Sequence, residues 1–73
     1  MKYAIVIEYV RASNYSAYAP DLPGCIATAD TIDEIKQLMK EGIELHLKGM
    51  REDGDPIPEP TTLVDYVETA QAA

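Results

Sequence analysis

The sequence predicts an α+β fold of the order β-β-β-α-β, with one long helix packed on one face of an antiparallel sheet. Two observations favour this fold. Three short strand candidates, the first of them rich in Ile, Val and Tyr, follow one another closely and are separated by turn-forming residues. A single long stretch with helical spacing of its apolar residues comes next, and a further strand-like segment follows it.

The first strand is predicted over Lys2 to Val10, where large apolar residues alternate with smaller or polar ones. This alternation indicates that one face lies against the helix and the other is partly open. The polar break Arg11-Ala12-Ser13-Asn14 has the length of a hairpin turn. Asn14 is able to adopt a left-handed conformation in this turn.

The second strand is predicted over Tyr15 to Ala19 and the third over Cys25 to Ala29. Between them, Pro23 presets the first corner of a β-turn, and Gly24 can take the positive φ of a type II turn. Three successive antiparallel strands make a meander.

The helix is predicted from Thr31 to about Asp53, with Gly54 as its stop. Thr31 and Glu34 have the spacing of a capping box. Gly42 lies near the middle of the apolar stripe, where glycine costs about 1 kcal/mol relative to alanine. We expect a close approach of the helix to the sheet or to a second subunit there. The stripe consists of Ile32, Ile35, Leu38, Met39, Ile43, Leu47 and Met50.

A stiff connector is predicted after the helix, because three prolines alternate through Asp55 to Pro60. Strand composition resumes from Thr62 to Glu68, which is predicted as the fourth strand.

At 73 residues, the chain is expected to form one domain over residues 1–73 with a thin core. Cys25 is the only cysteine, so neither an internal disulfide nor a cysteine cluster for zinc can add stability. We therefore expect a homodimer or homotetramer. A signal peptide and a membrane span are not expected, since the apolar runs are too short, and a cytoplasmic location follows.

The net charge of −7 is unevenly distributed. Six acids and no Lys or Arg lie between Glu52 and Glu68. This distribution disfavours direct nucleic-acid binding, which needs basic surface. It suits a basic protein partner, although a solvated surface that only maintains solubility accounts for the charge equally well.

Catalysis is not expected, and neither a metal nor another cofactor is predicted. A metal-dependent nuclease needs several converging carboxylates. The acids on or beside the predicted strands are Glu8, Asp21 and Asp30, and the last two suit a turn and a helix start. His46, the sole histidine, is expected at a core or subunit interface, and Cys25 in the core.

The strings Tyr15 to Cys25, Asp30 to Glu34 and Gly54 to Pro60 together resemble the HicB antitoxin family. The resemblance covers about Lys2 to Pro60. It implies a βββαβ domain, a truncated relative of the ribonuclease H fold. It also implies a partner, the small basic toxin HicA, which cleaves mRNA and which the antitoxin neutralises by covering its active surface.

Two features depart from the family pattern. Ala29 stands where a glycine is common, which is expected only to tighten that turn. Many members carry a DNA-binding extension after the proline segment, but thirteen residues follow Pro60 here. A separate DNA-binding domain is therefore not expected.

The resulting hypothesis is an antitoxin-type protein-binding module. The acidic segment and the turn supply the candidate partner-binding residues, which are Tyr18, Asp21, Leu22, Asp53, Asp55 and Glu59. Two alternatives are an orphan homo-oligomeric scaffold or ligand-binding domain, and a residual metal-dependent nuclease.

Overall fold

The computed structural model describes residues 1–71 and has the predicted α+β class. Its elements are β1 (Val6–Tyr9), β2 (Tyr15–Tyr18), β3 (Ile26–Ala29) and α1 (Ile32–Asp53). The strands form one antiparallel sheet in the order β1-β2-β3. The predicted meander followed by a helix is therefore confirmed.

Each strand is shorter than predicted, and β1 begins at Val6 instead of Lys2. The register pairs Val6 with Tyr18, so Ala4 would lie opposite Pro20. Proline has no N–H to donate, which ends the ladder at this point.

The register also fixes which side chains face the helix. Ile7, Ala17 and Ala27 are aligned across the three strands on the helix side. Ala17 is 3% exposed, and Ile7 and Ala27 pack against the core. The buried core comprises Ala17, Ala19, Leu22, Cys25, Ala29, Ile35, Met39 and Leu47.

In the first turn Ala12 has the left-handed conformation, with φ of 60°, although Asn14 is the residue that tolerates it more readily. The N–H of Val10 donates to the carbonyl of Asn14 at 2.7 Å. The N–H of Ser13 donates to the carbonyl of Val10 at 3.0 Å. Asn14 thus continues the strand pairing, and the corner falls on Ala12.

The turn between β2 and β3 consists of two tight turns in succession. The N–H of Leu22 donates to the carbonyl of Ala19, and the N–H of Cys25 donates to that of Leu22, both at 3.1 Å. Each proline stands directly after the first residue of its turn, where its fixed φ fits. Gly24 has φ of 88°, which confirms the predicted type II turn.

Both ends of α1 are capped as the sequence indicates. The hydroxyl of Thr31 accepts from the N–H of Glu34 at 3.1 Å. At the other end, Gly54 has φ of 74°, and its N–H donates to the carbonyl of Arg51. These contacts satisfy backbone groups that the helix itself leaves unpaired.

The helix buries a narrower stripe than predicted, formed by Ile35, Met39 and Leu47. Three short strands cannot cover the whole apolar stripe, so Leu38 is 44% exposed. Gly42 is also exposed, and an added Cβ would meet no atom within 4 Å. The predicted close approach of the helix to the sheet at Gly42 is therefore wrong. Within residues 1–71, no helix has the length and apolar character needed to cross a membrane.

The fourth strand predicted over Thr62 to Glu68 does not form, since residues 55–69 contain no strand within the described chain. The proline segment instead packs back on the domain. Ile57 packs against the core, and the hydroxyl of Tyr3 donates to the carbonyl of Pro58 at 2.6 Å. Residues 63–68, which we call the arm, are exposed. The composition of residues 62–68 is typical of a strand, but they pair with no strand of the sheet in the described chain.

Candidate protein-binding surface

The outer face of the sheet, opposite the helix, is uncovered and carries an apolar row. Val6, Tyr18 and Ile26 are aligned across all three strands. Tyr18 is 43% exposed and Ile26 is 75% exposed. A tyrosine beside exposed aliphatic side chains combines apolar area with a hydroxyl that can form hydrogen bonds, as is typical of protein interfaces.

The neighbouring row on this face is polar and consists of Glu8, Ser16 and Thr28. The two rows follow from the alternation along each strand, because every second residue points to the same side. The outer face is therefore a small amphipathic surface, which we call the open face.

Of the candidate residues, Tyr18 lies on the open face as an exposed side chain. Leu22 is 0% exposed, and its predicted role as a contact residue is corrected to a role in the core. It lies between the two prolines of the turn, where its side chain anchors the turn from the inside.

Asp21 has both its carboxylate oxygens engaged within the chain. The N–H groups of Thr61 and Thr62 donate to Oδ2 at 3.1 and 3.0 Å. The hydroxyls of the same threonines donate to Oδ1 at 3.1 and 2.8 Å. We call this set of contacts the Asp21 clamp. It attaches the segment after the prolines to the turn after β2.

These donors also change the acidity of the carboxyl group. The N–H and hydroxyl of Thr62, followed by those of Thr61, stabilise the charged form and hold the pKa of Asp21 below its ordinary value. The sequence indicated that Asp21 suits a turn. In the structure it accepts backbone N–H bonds from residues some forty positions later in the chain.

The remaining candidates, Asp53, Asp55 and Glu59, are exposed. Asp53 is the last residue of α1, Asp55 follows the glycine cap, and Glu59 lies between two prolines. The three prolines between Asp55 and Pro60 restrict the backbone, so Asp55 and Glu59 are presented on a stiff segment next to the helix end.

Sequence reasoning missed Val6 and Ile26 on the open face, and Thr61 and Thr62 at the clamp. The alternation in β1 was a usable signal for Val6. Ile26 could be aligned with Tyr18 only once the register between β2 and β3 was known. Nothing local in the sequence joins Asp21 to the two threonines.

The residues considered for catalysis are not brought together. Asp21 follows β2 and Asp30 follows β3, which places them at opposite ends of the sheet. Cys25 is buried, and burial raises the pKa of its thiol, which disfavours the reactive thiolate. His46 is half-buried on α1. Within residues 1–71, no group of three or more His, Cys, Asp or Glu side chains is arranged to hold a metal ion.

Comparison with known proteins identifies relatives over nearly the whole chain. A family model described as the HicB_like antitoxin of bacterial toxin-antitoxin systems matches residues 3–72. An uncharacterised 14.9 kDa protein of Haemophilus phage HP1 is 37% identical over 67 residues, covering 92% of this chain. A UPF0150 protein of Archaeoglobus fulgidus is 44% identical over 57 residues, covering 75% of this chain and 83% of that protein.

The chain spans only 50% of the length of the phage protein. Among solved structures, a chain of the HicA3 and HicB3 toxin-antitoxin complex superposes with a TM-score of 0.66 at 23% identity. The superposition covers 82% of this chain and 69% of that chain. At this identity, the likeness concerns the fold alone.

Proposed function

This chain belongs to the family of HicB-like antitoxins of bacterial toxin-antitoxin systems, and on that premise we propose that it neutralises a small basic toxin that cleaves mRNA. The observation that supports the proposal most strongly is the family match over residues 3–72. A neighbour of the same fold occurs in a complex of a toxin with its antitoxin.

Neutralisation would work by occlusion. The open face offers an apolar row that gains from burial against a partner, with Tyr18 and Ile26 as its most accessible large side chains. The acidic side chains Asp53, Asp55 and Glu59 would attract the basic RNA-binding surface of the toxin. A toxin held in this way could not bind its RNA substrate.

The proposal includes no chemistry by the antitoxin itself, neither catalysis nor direct binding of nucleic acid. Its charge of −7 would repel RNA and DNA, whose phosphates carry the same sign. The proposed place of action is the cytoplasm, because the mRNA substrate of such a toxin is translated there.

The first test is inhibition of a purified HicA-like toxin from the same genome in an RNA cleavage assay. Titration with this chain should abolish cleavage near equimolar ratio. Ile26→Asp should weaken inhibition at least about tenfold, because it places a charge within the apolar row of the proposed contact. Leu45→Asp is the matched control, since Leu45 is 71% exposed on α1, and it should inhibit like the unmodified chain.

Equal inhibition by both variants would remove the open face from the proposal. Failure of the unmodified chain to bind any such toxin would favour an orphan scaffold. RNA cleavage by the chain alone with Mg²⁺ or Mn²⁺, lost in Glu8→Ala, would contradict the proposal and favour a residual nuclease.

A further inference from the structure

A groove of about 480 Å³ lies on the side of the molecule away from the open face. It runs between the segment before β1 and one side of α1. Tyr3, Ile5 and Ile43 contribute apolar wall, and all three pack against the core while remaining partly exposed. Its charged lining consists of three cations, Lys36, Lys40 and Arg51, and one carboxylate, Glu44, so cations predominate.

The groove exists because the helix is not centred on the sheet. The helix packs mainly against β3 and β2, so that β1 is the strand farthest from its axis. β1 is also an edge strand, with one side of its backbone unpaired in the described chain. An unpaired edge beside an apolar groove is a site at which a further strand gains both hydrogen bonds and burial.

The charge of the groove contrasts with that of the molecule. Three of the six basic residues of the chain line it, although the net charge is −7. An occupant that complements the groove is therefore an extended segment that carries both apolar and acidic side chains.

The arm has this composition. Its sequence from Leu63 to Glu68 is Leu-Val-Asp-Tyr-Val-Glu. Because side chains alternate along a strand, each side of the arm presents two large apolar residues and one carboxylate. Leu63 is 93% exposed, Tyr66 is 90% exposed and Val67 is 87% exposed. Such a run of exposed apolar residues lacks a counterpart within the described part of its own chain.

The arm of the same chain does not line the groove, whose lining residues lie within positions 1–5 and 36–51, and two anchors direct the segment before it. Pro58 is attached to Tyr3, just before β1, and Thr61 and Thr62 are attached to Asp21, just after β2. The chain therefore crosses the end of the sheet from the β1 side toward the turn after β2, and the arm leaves from there. Because the arm is exposed and contributes nothing to the groove of its own chain, the arm of a second molecule is the candidate occupant.

We propose that two copies of this chain exchange arms, with the arm of each copy pairing with the free edge of β1 and covering the groove of the other. The second copy thereby supplies the fourth strand that composition predicts. Carboxylates of the incoming arm meet Lys36 and Lys40, and its apolar side chains cover Ile5 and Ile43. This assembly is independent of toxin binding, which is assigned to the open face.

The test uses sedimentation equilibrium of the full chain with two double variants. The groove variant is Lys36→Glu with Lys40→Glu, and the arm variant is Val64→Asp with Val67→Asp. All four positions are exposed, so the fold is retained, and circular dichroism checks this. The unmodified chain should be dimeric at about 100 μM, and each variant should dimerise at least about tenfold more weakly.

An equimolar mixture of the two variants is the decisive measurement. A heterodimer keeps one intact arm and one intact groove, whereas neither homodimer has an intact pair. The mixture should therefore associate more tightly than either variant alone. Lys48→Glu, an exposed cation outside the groove, is the control and should leave the dimer unchanged.

A monomeric unmodified chain at about 100 μM would overturn the proposal. Dimers that both variants leave unchanged would place the contact on another surface and would overturn it equally. If dimers form as described but no toxin binds, only the proposed function fails.

Discussion

Asp21 shows how one side chain can connect distant parts of a small chain. Its carboxylate receives four hydrogen bonds from two consecutive threonines, so it directs the whole segment that follows the prolines. A carboxylate suits this position because it has lone pairs for all four donors, and charge-assisted bonds are the stronger kind.

The Asp21 clamp should therefore depend on pH. The pKa of Asp21 lies below its ordinary value of 3.8, so the clamp is complete above that pH and is lost as the pH falls through the lowered pKa of the folded chain. Amide exchange at Thr61 and Thr62, followed by NMR, should accelerate only in this acidic range.

Asp21→Asn should show the same opening at neutral pH, with exchange at these two amides roughly tenfold faster. Asp55→Asn is the control, because Asp55 is an exposed carboxylate outside the clamp. Unchanged protection at Thr61 and Thr62 in Asp21→Asn would show that the prolines alone position the segment.

The helix is the element that holds the sheet together, and its contribution is concentrated on a few side chains. Ile35 and Met39 are almost completely buried, whereas Leu45 projects into solvent. The two glycines inside the helix add no contact, since nothing lies within 4 Å of an added Cβ at Gly42 or Gly49. Helical spacing alone therefore overstates how much of the helix is core.

Truncation of apolar helix residues should distinguish the buried ones from the exposed ones. Met39→Ala should lower the free energy of unfolding by about 2 to 4 kcal/mol, because it leaves a cavity in a thin core. Leu45→Ala removes a similar volume from an exposed position and should change it by less than about 0.5 kcal/mol. Urea denaturation measures both. An equal decrease in the free energy of unfolding for both variants would mean that Leu45 is buried in solution.

At the scale of the whole molecule, negative charge is concentrated in the second half of the chain, and the groove keeps a local positive surface. Long-range attraction of a basic partner depends on the overall charge, whereas tight contact depends on the open face. The two contributions differ in their response to salt, because exposed charges are screened over about 10 Å at 0.1 M ionic strength.

Reversal of one exposed charge near the helix end should change the association rate with a basic toxin. Asp55→Lys should slow association several-fold at low salt and reduce its salt dependence. Glu41→Lys makes the same change in net charge on the middle of α1 and should have a smaller effect. Stopped-flow association at two salt concentrations compares them. Identical effects would indicate that only the net charge matters.

Much of the architecture was determined by local sequence. The two prolines, Gly24, the Thr31 cap and Gly54 each act within a few residues, so their roles follow from φ preferences and nearby hydrogen bonds. The alternation in β1 and the spacing in α1 likewise fixed which sides turn inward. These features predicted the meander, the helix and its bounds to within a residue.

Tertiary structure decided what depends on contacts between distant residues. Composition made residues 62–68 a strand, but a strand needs a paired edge, and the anchors at Tyr3 and Asp21 lead this segment away from the sheet of its own chain. The burial of Leu22, the alignment of Ile26 with Tyr18 and the engagement of Asp21 were decided in the same way. Local preference specifies the conformation of a segment, whereas its partner is chosen by the path of the chain in three dimensions.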